Sequence, residues 1–121
     1  MQEIILSEKF NMKADIKEVG DDLLVLITGG NKPHLGAVAF GINALDGSAT
    51  DDKNIDDFYK LCLPTHRDDF LSDKIAPELS KKLKRNVAVL SGVHVDNIKK
   101  EEIEEIVGLV PEFINKILKN C

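Results

Sequence analysis

Three histidines occur in this chain of 121 residues, and each lies in a short, turn-rich stretch with other polar groups. The stretches are Thr28-Gly29-Gly30-Asn31-Lys32-Pro33-His34, Thr65-His66-Arg67-Asp68-Asp69 and Gly92-Val93-His94-Val95-Asp96-Asn97. An imidazole donates or accepts a hydrogen bond near neutral pH, carries a proton, or ligates a metal. Arg67 offers two parallel hydrogen bonds to an anion, and Lys32 adds a second cation. Asp96 and Asn97 supply acceptors and donors for the polar edge of a ring. Gly29 and Gly30 leave room for backbone to approach a ligand. The candidate binding set is therefore Gly29, Gly30, Lys32, His34, His66, Arg67, Asp68, His94, Asp96 and Asn97. Its chemistry is that of holding an anionic small molecule.

Each motif also has a plainer reading. Gly29-Gly30 fits a hairpin turn. His66 and Asp68 fit helix caps, and Asp96 and Asn97 could cap the last helix. His94 could be a core histidine bonded to a backbone carbonyl, and Lys99 to Glu102 reads as a solvated first turn. A metal reading uses His34, His66, His94 and Asp96 as ligands. Against it, only His94 and Asp96 are closely spaced, and Arg67 would repel a cation. An enzyme with a metal at these histidines stays open as an alternative, as does a structural subunit without a ligand. No G-x-S-x-G or Cys-His signature supplies a nucleophile.

The elements that must position these groups follow from periodicity. Glu3 to Leu6 is a short β-prone run. Phe10, Met12, Ala14 and Ile16 alternate with polar residues, as in a half-buried strand. After a turn at Gly20-Asp21-Asp22, Leu23 to Thr28 is a nearly unbroken apolar run suited to a central strand. Gly29 to Pro33 is expected to turn the chain, and Leu35 to Ile42 to form the next strand. Gly36 and Gly41 mark a bulge or a close approach there. Leu45 to Asp57 reads as an exposed loop, and Phe58 to Leu63 as a strand.

From Asp68 to about Lys84 the pattern becomes helical, with Leu71, Ile75, Leu79 and Leu83 in one row. Thr65 and Asp68 are expected to form a capping box, and Pro77 to kink or split the helix. Val87 to Val95 is a strand. A last helix runs from about Lys99 to Lys119 on Ile103, Ile106, Val107, Val110, Phe113 or Ile114, and Ile117, bent at Gly108 and Pro111.

The expected fold is a single α/β (α+β) domain over residues 1–121. It has one mixed sheet of about five or six strands, an antiparallel meander followed by βαβα, with both helices on one face. Phe58 to Val95 should make a right-handed parallel crossover. Such a topology brings all three histidine turns to the upper sheet edge, where open α/β sheets bind ligands and helix N-termini favour anions.

Bulk composition sets limits on function. Sixteen Lys and Arg against 21 Asp and Glu give a net charge of −5, which disfavours a nucleic-acid partner. Two cysteines, Cys62 and a C-terminal Cys121 expected to fray, point away from a structural disulfide and toward a reducing compartment. With no secretory leader pattern and no apolar run near the roughly 20 residues that span a bilayer, the expectation is a cytoplasmic protein without a membrane partner.

The ordered motifs resemble a known family. Gly20-Asp21-Asp22-Leu23-Leu24-Val25, Gly29 through Ala39, Leu63-Pro64-Thr65-His66-Arg67-Asp68-Asp69 and Gly92 through Asn97 look like the LpdD-type prenylated-flavin chaperone domain. The resemblance extends over almost the whole chain except Leu45 to Asp57. It implies a non-catalytic carrier of prenylated FMN, or FMN. The carrier would assist cofactor delivery to a UbiD-type hydroxyarene decarboxylase, with a flavin prenyltransferase as a further partner. It places His34, His66 and His94 at the ligand, with Arg67, Asp68 and Asp96 beside them. The strand-then-βαβα order is also similar in shape to small proteasome-assembly-chaperone folds, which commonly pair, so a homo-oligomer is expected.

Overall fold

The computed structural model describes residues 1–43, 58–63 and 69–121. The loop expected over Leu45 to Asp57 and the capping box of Thr65 and Asp68 lie outside these. The described elements are β1 (Gln2–Ser7), β2 (Met12–Val19), β3 (Asp22–Gly30), β4 (Ala37–Gly41), β5 (Phe58–Cys62), α1 (Asp69–Leu83), β6 (Val87–His94) and α2 (Lys100–Leu118). The strands form one mixed sheet in the order β1-β2-β3-β6-β4-β5. The expected α+β architecture is therefore present, with an antiparallel β1-β2-β3 meander at its start.

Alternation decides which face each side chain takes. Met12, Ala14 and Ile16 of β2, Leu23, Val25 and Ile27 of β3, and Val87 and Val89 of β6 are all buried beneath the helices. They join Leu71, Ile75 and Leu79 of α1 and Ile106, Val110, Phe113, Ile114 and Ile117 of α2 in one continuous core. A second α1 row, Ser72, Ala76 and Ser80, is also buried. It lies against β4, where Gly41 meets the Ala76 carbonyl so closely that a Cβ would collide with it. The glycine thus marks a close approach, by α1.

Several expectations change. β3 and β4 are not neighbours, because β6 lies between them, parallel to β3 and antiparallel to β4. Gly29 and Gly30 are consequently the last residues of β3 and not a hairpin turn. β5 pairs antiparallel with β4, so β5 and β6 point the same way and the β5-α1-β6 crossover passes over β4. Pro77 and Pro111 sit inside unbroken helices. Burial of a full apolar face offsets the roughly 3 kcal/mol cost of an interior proline. Ile103 is 39 % exposed and outside the core. Cys121 is tethered: its N–H donates to the Leu118 carbonyl and its thiol to that of Ile117, at 3.3 and 3.1 Å. Burial pushes this thiol's pKa up, against a lesser opposing pull from Arg85.

The lower end of the sheet is tied by Arg85 and two asparagines. Arg85 Nε donates to the Asp21 carbonyl at 2.7 Å and Nη2 to that of Asp22 at 3.0 Å. Ser80 Oγ donates to the Arg85 carbonyl at 2.8 Å. Asn43 donates from its backbone N–H to Asn86 Oδ1 and from Nδ2 to the Lys84 carbonyl, at 2.8 and 2.7 Å. Buried backbone groups need such partners where strands stop.

Candidate functional site

The upper end is organised by a strap, residues 31–36, that carries the chain from β3 over the end of β6 to β4. It is stitched down at both ends. The Asn31 N–H donates to the His94 carbonyl at 2.6 Å, and the Gly36 N–H to the Ser91 carbonyl at 2.9 Å. Asn31 Oδ1 accepts from the Asp96 N–H at 2.8 Å. At the β5 end, Leu63 donates its N–H to the Gly36 carbonyl at 2.8 Å.

Glycines permit this crossing. Gly30 has φ of +82°, a left-handed conformation that favours glycine, and a Cβ there would run into the His94 carbonyl. A Cβ at Gly92 would run into the His34 carbonyl. Gly92 shares its face with Leu90, two residues earlier in the strand, so the strap crosses on the sheet face away from the helices. At Gly29 the same space is filled by Met12. The room these glycines leave is thus filled by the protein itself.

Crossing there brings two of the three histidines together. His34 and His94 meet edge to face, with ring centroids 6.1 Å apart and planes at 74°. Both His34 ring nitrogens are buried, whereas the His94 side chain is 45 % exposed. His94 Nε2 lies 3.0 Å from Asp96 Oδ1. When Nε2 carries the hydrogen, it donates a hydrogen bond to the carboxylate and Nδ1 is left as an acceptor. Asp96 and Asn97 form a turn in which Asn97 is left-handed, with φ of 56°. They precede the N-cap of α2, which is Lys99. Lys32 and Asn97 are exposed at the same end. His66, Arg67 and Asp68 lie outside the described residues.

The α2 N-terminus does not offer the expected anion site. The Lys99 N–H donates to Glu102 Oε1 at 3.1 Å, and Glu101 and Glu102 place negative charge in the first turn. Among the described residues, no group of three or more His, Cys, Asp or Glu side chains is arranged to hold a metal. Cys62 pairs across the sheet with buried Ala37 and so points to the helix side.

Sequence reasoning missed two parts of this end. Asn31 joins the first and third turns, although it belonged to no candidate set. An apolar hollow of about 200 Å³, walled by Leu35, Val38, Leu61, Leu63 and Leu90, opens on the strap's face of the sheet. The signal for it was present: Leu23 to Thr28 and Val87 to Leu90 are apolar at both parities, which means apolar residues on both faces.

The upper sheet edge thus gathers two histidines and a carboxylate under one strap. The family model of the prenylated flavin chaperone LpdD-like domain matches residues 6–121. The chain belongs to this family. It is similar to Protein LpdD of Lactiplantibacillus plantarum, at 25 % identity over 114 residues, which cover 90 % of this chain and 76 % of that protein. In this LpdD-like domain the match takes in the strap, both described histidines and the whole of α2. Among the described residues no helix is long and apolar enough to cross a membrane.

Proposed function

We propose that this LpdD-like domain is a non-catalytic carrier of prenylated FMN, which it holds at the upper sheet edge and passes to a UbiD-type decarboxylase. The observation that carries the reading is the joining of His34 and His94 under one strap, with Asp96 hydrogen-bonded to His94. His94 and Asp96, about half exposed, suit the polar edge of an isoalloxazine, and His34, its ring nitrogens buried, supports His94 edge to face. Lys32 supplies a cation near it, and in this reading Arg67 and His66 complete the grip on the phosphate. In this reading Asp68 and Asn97 stand with them, while Gly29 and Gly30 serve the close packing of β3 against Met12 and the His94 backbone. A carrier binds without turnover, which needs donors and acceptors but no activated nucleophile.

The carrier works in the cytoplasm as a pair of copies. Support for pairing comes from the sheet face opposite the helices, where Phe40 and Tyr59 are 47 % and 53 % exposed on adjacent strands. Contiguous apolar surface of this kind marks interaction sites. The mass of the protein in solution checks this part.

The experiment that tests the carrier is anaerobic titration of the purified protein with FMN and prenylated FMN, followed by absorbance and fluorescence. Binding at or below tens of micromolar, about −6 kcal/mol, is expected, with release on adding the apo-decarboxylase. Absence of binding to either flavin removes the proposal. Metal that resists dialysis, found by elemental analysis with flavin absent, would favour the metalloenzyme instead.

A further inference from the structure

The hollow beside the strap has no role in the polar recognition described so far. Its walls, Leu35, Val38, Leu61, Leu63 and Leu90, are all aliphatic, and its volume is about 200 Å³. That is below the roughly 300–1,000 Å³ that encloses a whole cofactor-sized ligand. It is enough for a small hydrocarbon, since an apolar cavity of about 150 Å³ accepts a benzene ring. Leu61 and Leu63 are 66 % and 46 % exposed, and Leu35 is 54 % exposed. Aliphatic side chains held this far open to water gain free energy when an apolar group covers them.

Position links the hollow to the histidines. Leu35 directly follows His34, and Leu90 lies on the same face of β6 as Gly92, over which the His34 carbonyl passes. Leu63 is hydrogen-bonded to the strap's last residue, Gly36. Polar edge and aliphatic hollow are consecutive parts of one strap.

We propose that this hollow is the subsite for the isoprenoid hydrocarbon, the group that distinguishes a prenylated flavin from plain FMN. The proposal rests on the carrier reading above and adds to it a source of selectivity. Polar groups along the strap recognise what both flavins share. The leucine walls recognise only what prenylation adds.

The test compares the two flavins on the full chain, under anaerobic conditions, in wild type and in the variants Leu61→Asp and Leu63→Asp. Both positions are exposed enough for the fold to be kept, which far-UV circular dichroism verifies; Leu61→Ala and Leu63→Ala are the milder pair. Solution mass is recorded for each variant, so that a change of assembly is told apart from a change in the hollow. Wild type is expected to prefer prenylated FMN about ten-fold or more, as burial of two or more methylene equivalents predicts. The Asp variants should bring the two affinities within about two-fold by weakening prenylated FMN alone, and the Ala variants should fall between. Equal affinity of wild type for both flavins, or variants that weaken both equally, would overturn the subsite while leaving the carrier intact. Failure of wild type to bind either flavin would overturn both.

Discussion

The two ends of the sheet use their polar residues in opposite ways. At the lower end, Arg85, Asn43 and Asn86 are turned onto backbone carbonyls, amides and one another, and the result is a knot that closes strand ends. At the upper end, backbone bonds at Asn31 and Gly36 pin the two ends of the strap, and the ionisable side chains His94 and Asp96 stay about half exposed. Charge and hydrogen-bonding capacity are therefore not in themselves signs of a site. What distinguishes the upper end is that His94 and Asp96 bond each other and not the backbone, and stay about half exposed.

That contrast can be broken by substitution, beginning with the largest effect. Gly92→Val places a side chain where the His34 carbonyl passes. It should lower stability by about 3 kcal/mol or more and abolish flavin binding, read by urea unfolding and titration. Normal flavin affinity in a folded Gly92→Val protein would detach the strap from the site. Arg85→Ala removes bonds from a charged group to two carbonyls. It should cost about 2–3 kcal/mol yet leave flavin affinity unchanged in protein that remains folded.

His94→Ala should do the reverse. Its side chain is half exposed, so stability should stay within about 0.5 kcal/mol while flavin affinity falls about ten-fold, roughly 1.4 kcal/mol. If thermal unfolding shows His94→Ala to be as damaging as Arg85→Ala, both ends are structural and the comparison collapses. The smallest effect belongs to Lys9→Ala, which breaks an exposed ion pair with Glu105 at 2.7 Å. It should change stability by no more than about 0.5 kcal/mol and binding not at all, which sharpens the assignment to the strap.

Much of this was legible from residues alone, and the failures have physical causes. Alternation in Met12 to Ile16 and the four-residue spacing of Leu71, Ile75 and Leu79 report burial directly, so the strands and helices came out in the right order. Strand adjacency is different. Six residues reach over one intervening strand, about 10 Å, as easily as they fold back into a hairpin, so nothing between Asn31 and Gly36 reveals that β6 lies beneath. Pro77 does not split α1, because tertiary burial outweighs its local cost. The meeting of His34 and His94 was foreseeable because direction alone brings their turns to one edge. The leucine hollow was legible only at Leu90, in a run apolar on both faces; its other walls come from β4, β5 and the strap and share no motif.

Inserting β6 between β3 and β4 has a consequence for assembly. Residues 1–41 cannot make the central part of the sheet by themselves, because the strand that joins the β1-β2-β3 meander to the β4-β5 pair is the last one synthesised. Until residues 87–94 arrive, the strap has nothing to cross. Long-range pairings of this kind are slow to form, so the strapped edge should be the final part of the molecule to mature, and under the carrier proposal nascent chains ending before β6 should be unable to retain flavin.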